Sequence, residues 1–162
     1  MTTTFREQLE IIRKHQDSPP VPVVALANDL GLRVFKSGTR AWSDNVSGLI
    51  KRTSGDGFEI YVNGDHQFHR RRFTIAHEIA HFVLHKDKIG DELTDDALYR
   101  SGLSNEIERE ANSFAAKILM PPHLINDKIQ DGVNNIYDLA TIFKVSPSAM
   151  SLRLGVPLPD NS

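Results

Sequence analysis

One run of five residues, His77-Glu78-Ile79-Ala80-His81, constrains this chain more than any other feature of its sequence. On an α-helix, two side chains four residues apart project from the same face, so both imidazoles can approach one ion without bending the backbone. The flanking residues are largely apolar, and burying two histidines and a glutamate among them costs free energy unless those groups have partners. The run therefore predicts a buried helix, from about 70 to 85, whose histidines bind a metal ion.

The chemistry of these residue types indicates zinc. Neutral imidazole suits zinc, and catalytic zinc usually takes three protein ligands and leaves one position for water. Glu78 lies one step around the helix from His77, where it can accept a proton from a water molecule whose pKa the metal lowers. The pattern predicts one Zn²⁺ per chain, with His77 and His81 as ligands and Glu78 as the general base. The alternative is a chance match of the pattern on an amphipathic helix.

The third ligand has to come from another part of the sequence. The chain contains no cysteine, which excludes thiolate ligands, disulfides and a thiol nucleophile. His85 continues the four-residue spacing, but a third ligand from the same straight helix has poor tetrahedral geometry. We interpret His85 as a surface histidine or as one that supports a ligand.

A second helix, predicted from Ser104 to Met120, offers a better third ligand. Glu108 lies beside the apolar stripe of this helix, whereas Glu110 lies farther out toward solvent. Glu108 is therefore the predicted third ligand, with Glu110 as the alternative. Asn112, one turn after Glu108, is predicted to hydrogen-bond a ligand histidine and fix its tautomer.

Further elements are expected on both sides of these two helices. We predict helices at 4–15 and 23–30, strands near Leu32–Phe35, Val46–Lys51 and Phe58–Asn63, a polar connection with helical character at 87–102, and two or three short helices over 123–154. This order is typical of an α+β domain in which a small sheet packs on helices. We expect a core over 1–122, a C-terminal helical segment over 123–155, and a flexible tail over 156–162.

Taken together, these residues make the chain resemble the ImmA/IrrE family of zinc metallo-endopeptidases. The similarity lies in two specific stretches, Arg71–His81 and Glu108–Pro121, and in two weaker ones at 23–31 and 139–154. The resemblance implies a zincin-like metallopeptidase fold, with zinc held by both histidines of the five-residue run and by Glu108. It also implies a protein substrate, typically a helix-turn-helix (XRE-type) transcriptional repressor, whose cleavage regulates gene expression.

Residues 139–154 have the spacing of a helix-turn-helix, with a second helix starting at Ser146. Ser148, Ser151 and Arg153 are predicted to face outward. The segment carries little positive charge and the whole chain has a net charge of −2, which argues against DNA as the main partner. The interpretations left open are DNA recognition, a plain packing unit, and docking of the repressor substrate.

Three further features are open to two interpretations each. Tyr99 and His85 are both candidates for stabilising the oxyanion formed on the substrate carbonyl, and the sequence does not choose between them. The triplet Arg70–Arg72 is interpreted as a solvated basic turn, with pairing of one arginine to a carboxylate near the site as the alternative. Phe58–Asn63 is either a core strand or an edge that accepts an extended substrate peptide.

The cellular location predicted from the sequence rests on two features that the sequence lacks. No apolar run approaches the length that crosses a bilayer, and the N-terminus has no apolar segment of the kind found in signal peptides, so we expect a cytoplasmic protein with no membrane partner. The function predicted is that of a zinc-dependent endopeptidase. The competing hypotheses are a DNA-binding transcriptional regulator with a structural or vestigial metal site, and an inert protein-interaction module.

Overall fold

The computed structural model describes residues 3–37, 46–55, 57–96 and 105–159. Its helices are α1 Phe5–Lys14, α2 Val23–Asp29, α3 Phe68–Leu84, α4 Asn105–Leu119, α5 Pro122–Gln130, α6 Ile136–Phe143 and α7 Pro147–Leu154. Its strands are β1 Leu32–Ser37, β2 Val46–Arg52, β3 Phe58–Asn63 and β4 Glu92–Asp96. The α+β class predicted from the sequence is confirmed. Throughout the described ranges, each helix is too short or too polar to traverse a lipid bilayer.

The four strands form one mixed sheet in the order β1-β3-β2-β4. β3 is parallel to β1 and antiparallel to β2, and β2 is antiparallel to β4. Of the two interpretations of Phe58–Asn63, the core strand is confirmed and the substrate-binding edge is wrong. β3 pairs on both sides, so it offers no edge to a substrate peptide. The polar connection predicted at 87–102 contains β4, which was not predicted, and the helical character found in its described residues is a short 3-10 turn at Lys86–Lys88. Among the described residues, β4 pairs only with β2. Its sequence is mostly polar and lacks the apolar run by which a central strand is recognised.

Helix α3 is the central element of the fold. It packs against β2 and β3 on one side and against α4 on another. Ten of its residues between Arg72 and Phe82 are buried, and Ile79 has no exposed surface. A helix covered in this way holds its polar side chains away from bulk water, as the apolar residues around the two histidines predicted.

Strand β2 approaches α3 closely at Gly48. A Cβ atom placed on Gly48 would lie 2.5 Å from Cγ2 of Thr74 and 2.9 Å from the backbone oxygen of Tyr61, and 3.9 Å from Cγ of Glu78. Real Cβ atoms do not come this close to other heavy atoms. Glycine is therefore needed at this position for space, and it lets the strand lie directly against the helix that carries Glu78.

Replacing Gly48 with alanine should lower the free energy of unfolding by about 1–3 kcal/mol, the usual cost of adding a methyl group to a filled interior. Urea denaturation of the purified protein measures the change. Thr74→Ser removes Cγ2, so the double variant should recover part of the lost stability. If Gly48→Ala unfolds at the same urea concentration as the natural chain, β2 and α3 are not packed as described.

The arginine triplet lies inside α3 and is not a solvated turn. Arg72 is buried, and its guanidinium donates to the backbone oxygens of Val21 at 2.9 Å and Lys144 at 3.2 Å. Arg70 donates to Oγ of Ser47, and Arg71 to the backbone oxygen of His66. No arginine of the triplet pairs with a carboxylate of the described residues, so that alternative is also wrong. The helix begins two residues earlier than predicted, at Phe68. Arg72 points inward toward the end of α6, where burial lowers its pKa.

The C-terminal helices adopt the predicted helix-turn-helix arrangement locally. Lys144, with a φ of 53°, ends α6, and Ser146 caps α7 by accepting a hydrogen bond from the backbone N–H of Ala149. Arg153 is partly exposed and does not point fully outward as predicted, because its Nε donates to the backbone oxygen of Met120 at 3.0 Å. Arg153 thereby joins α7 to the end of α4. An apolar side chain on α7, Leu152, is 85% exposed.

Candidate metal centre

Two histidines of α3 meet at their Nε2 atoms. His77 and His81 are four residues apart, and their Nε2 atoms lie 3.0 Å from each other. The rings are nearly perpendicular, at 86°, with centroids 4.6 Å apart. Both side chains are buried, so the pair faces the interior of the protein.

Helix α4 brings a carboxylate to the same point. The two oxygens of Glu108 lie 3.2 Å from Nε2 of His77 and 3.2 Å from Nε2 of His81. Glu108 is buried, whereas the side chain of Glu110, the alternative ligand, is 56% exposed and lies away from the cluster. The structure thus brings together the three residues that the sequence predicted as ligands, and within the described residues they form the one group able to hold a metal ion.

The spacing of the three ligand atoms fits zinc. Four ligands arranged tetrahedrally at 2.0–2.1 Å from an ion lie about 3.3 Å from one another. The Nε2 atoms of the two histidines lie 3.0 Å apart, and each lies 3.2 Å from a different oxygen of Glu108, so the closest contacts are near that value. One ligand atom from each of the three residues lies within 4.8 Å of the other two. Two histidines and one glutamate are also a donor set that catalytic zinc sites use, in which the fourth position stays available for water.

The charge state of Glu108 suits a metal ligand. Burial alone would raise the pKa of this carboxyl group, but hydrogen bonds and charge interactions with His77 and His81 outweigh burial and lower the pKa well below its usual range. The side chain is therefore a carboxylate at neutral pH. An ionised carboxylate is the form that binds a cation.

Asn112 contacts His77 on the side of the ring that faces away from the ligand cluster. Its Oδ1 accepts a hydrogen bond from Nδ1 of His77 at 2.7 Å. With a metal bound, this contact would keep a proton on Nδ1 and leave the lone pair of Nε2 for the ion, which is how a hydrogen bond outside the coordination sphere orients a ligand. Asn112 therefore lies where the sequence predicted a supporting amide.

His85 is buried behind the second histidine, so its interpretation as a surface residue is wrong. Its Nδ1 lies 3.1 Å from Nδ1 of His81, and its Nε2 lies 3.5 Å from a carboxylate oxygen of Glu110. Burial and the charge of His81 lower the pKa of His85, and Glu110 partly opposes them. A neutral His85 can accept the Nδ1 proton of His81. His85 is thus on the far side of His81 from the cluster, which favours support of that ligand over contact with an oxyanion. Tyr99, the other oxyanion candidate, lies outside the described residues.

Glu78 is next to His77 on α3 and has no exposed surface. Its Cγ lies on the β2 side of the helix, near Gly48. The carboxylate of Glu108 enters from α4 instead, so the two acidic groups approach the histidines from different elements.

Gly48 was not predicted as part of the site. The signal in the sequence, an isolated glycine within a strand, indicates a close backbone contact but does not say with what.

The sequence model of the Peptidase M78 family, described as the IrrE N-terminal-like domain, matches residues 27–155. The chain belongs to this family. The match includes both helices that carry the histidine and glutamate cluster and extends through α7. It confirms the resemblance that the sequence alone indicated.

A solved structure described as a Mycobacterium tuberculosis transcriptional regulator is similar in fold to this Peptidase M78 chain. The two share 18% sequence identity with a TM-score of 0.60, over 95% of this chain and 47% of that one. The chain therefore spans about half the length of that structure. No curated protein matches the chain.

Proposed function

We propose that this chain is a zinc-dependent endopeptidase whose substrate is a helix-turn-helix transcriptional repressor. The observation that supports it most is the buried cluster of His77, His81 and Glu108, whose ligand atoms come from two helices and lie within 4.8 Å of one another. Glu78 is next to His77 on the same helix. Membership of a peptidase family agrees with this chemistry. Because the proposed substrate acts on DNA inside the cell, we place the reaction in the cytoplasm.

Each polar side chain of the site has a distinct part in hydrolysis. Zinc, when bound, polarises the scissile carbonyl and lowers the pKa of water. His77, His81 and Glu108 hold the ion, and Asn112 and His85 fix the orientation of the two imidazoles. Glu78 accepts a proton from the attacking water and then donates it to the amide nitrogen of the departing chain, which completes the breaking of one peptide bond by one water molecule.

The substrate class rests on two lines of support outside the site. Members of the family that the sequence resembles act on helix-turn-helix repressors. The solved structure that shares the fold is described as a transcriptional regulator, which connects the fold with gene regulation. A repressor encoded beside the gene for this chain is accordingly the substrate to test.

Protein purified without chelator should contain one zinc ion per chain by elemental analysis, and should cut the adjacent repressor into two fragments. 1,10-Phenanthroline should stop the reaction because it removes the ion, and added Zn²⁺ should restore it. Intact-mass spectrometry of the repressor identifies the new termini. If zinc-loaded protein leaves every adjacent helix-turn-helix protein intact, both when purified and when co-expressed, the proposed substrate class is wrong.

A second candidate function, DNA binding, is favoured by the α6–α7 arrangement and by the description of the similar solved structure. Arg153→Ala does not test it cleanly, since Arg153 also supports the backbone at Met120. Ser148→Glu does, because Ser148 is exposed near the start of α7. Duplex binding that weakens steeply with salt and is lost in this variant would favour a regulator over a peptidase.

A further inference from the structure

A groove of about 840 Å³ lies between the first half of α3, α4 from Arg109 onward, and α7. Its surface is in large part apolar, with Phe73, Ala116, Met120, Ala149 and Leu152 among the residues that line it. Leu152 is 85% exposed. An exposed apolar surface of this kind within a concave site is typical of a place where another molecule packs.

Cationic side chains surround this apolar surface. Arg70, Arg109, Lys117 and Arg153 line the groove, and no aspartate or glutamate does. None of the four forms an ion pair with a carboxylate within the ranges that the structure describes. The whole chain has a net charge of −2, so this accumulation of positive charge is local. Such a rim complements acidic groups on a partner.

The groove adjoins the candidate metal centre through the side chain of Asn112. This residue lines the groove, and its Oδ1 accepts the hydrogen bond from Nδ1 of His77. A polypeptide seated in the groove therefore lies one side chain away from a predicted zinc ligand. Contacts made there can hold a substrate next to the site of hydrolysis without taking part in the chemistry.

We propose that this groove is a docking site for an acidic amphipathic helix of the protein substrate, an inference that rests on the endopeptidase function proposed above. An apolar floor between cationic rims matches a helix with an apolar stripe flanked by carboxylates. A nucleic acid would place its polar phosphates and sugars against Leu152 and Phe73, so these apolar side chains would gain no apolar contact. The described part of the chain's own tail lies elsewhere, since Val156, Pro157 and Pro159 line a separate cavity beside α6.

The test uses two fluorescein-labelled peptides of about 18 residues, five helical turns. Both carry leucines at helical spacing, and the remaining positions are mostly glutamate in one and mostly lysine in the other. Fluorescence anisotropy against zinc-loaded protein should show that the acidic peptide binds at least about tenfold more tightly, because its charges meet the cationic rim. Leu152→Ser and Lys117→Glu should each weaken binding of the acidic peptide by about tenfold.

Matched substitutions outside the groove provide the control. Ile129→Ser removes an apolar side chain that is 48% exposed on α5, and Lys14→Glu reverses an exposed charge at the end of α1. Both should leave the affinity for the acidic peptide within about twofold of the natural chain. Zinc content and thermal unfolding, measured on all four variants, show that each is folded.

The result separates this inference from the proposed function, because binding is measured without cleavage. Glu78→Gln should bind the acidic peptide as the natural chain does. If the natural chain binds the acidic peptide but shows no zinc-dependent cleavage of the repressor, the docking site is supported and the proposed peptidase function is wrong. Equal binding of both peptides, or binding unaffected by Leu152→Ser and Lys117→Glu, overturns the docking site. Duplex DNA or a second copy of the chain occupying the groove in place of the acidic peptide overturns it as well.

Discussion

Exchanging Glu78 for glutamine should lower the rate of peptide-bond hydrolysis by about 10²–10⁴-fold, the usual contribution of a positioned general base. The amide has the size and shape of the carboxylate but cannot accept a proton from water. Because Glu78 is wholly buried, a substitution of equal size avoids a cavity beside Gly48 and His77. The metal ligands are unchanged, so zinc content should stay the same.

The measurement compares cleavage of the adjacent repressor with zinc content by elemental analysis, on the same protein preparations. Glu106→Gln is the matched control, since it makes the same chemical change at an exposed position of α4 and should leave both values unaltered. Full hydrolysis by a folded, zinc-loaded Glu78→Gln protein would exclude Glu78 as the base. Loss of zinc together with activity would show instead that Glu78 supports the ligands.

The sequence predicted those parts of the fold whose physical cause is local. Helices α3 and α4 follow from apolar residues repeated at the helical period, and Pro121 and Pro122 end the second of them. Strand β4 was missed because most of its residues are polar, and the side chains of a strand do not by themselves show that its backbone pairs with another strand. The inward position of Arg72 was missed for a related reason. Its acceptors, the backbone oxygens of Val21 and Lys144, are distant in sequence and carry no signature.

More of the candidate site than of the structure around it could be predicted from the sequence. Glu108 was preferred to Glu110 from its angular position on α4 alone, and the structure brings Glu108 to both histidines. The side chain of His85 was harder to place, because it depends on how the chain turns after Leu84 and on Glu110 from another helix. The groove beside the metal centre was not predicted, although docking of the repressor substrate on residues 139–154 was one interpretation that the sequence left open. Three segments widely separated in sequence line it, and none is unusual by itself.

Replacing Glu108 with glutamine should lower the affinity for zinc by more than about 100-fold, beyond the loss expected for a residue that only supports a ligand. The neutral amide removes the negative charge of the cluster and offers a weaker donor atom. Glu110→Gln is the matched control two residues away. It contacts His85 and not the cluster, so the affinity should fall by less than about tenfold. Competition with a chromophoric chelator measures both. Equal losses would mean that the glutamate ligand has been assigned to the wrong residue.

The metal-free protein provides an independent check on the same carboxylate. Because the pKa of Glu108 is lowered in the folded chain, its ionised form stabilises the fold above the ordinary glutamate value of 4.5, and this contribution is lost as the pH falls toward the lowered pKa. Without metal, Glu108→Gln should therefore unfold at a lower temperature than the natural chain at pH 7. The difference should shrink as the pH drops below 4.5, where the glutamate of the unfolded chain becomes protonated. A difference that stays constant from pH 7 to pH 3 would mean that the carboxylate does not accept hydrogen bonds from His77 and His81.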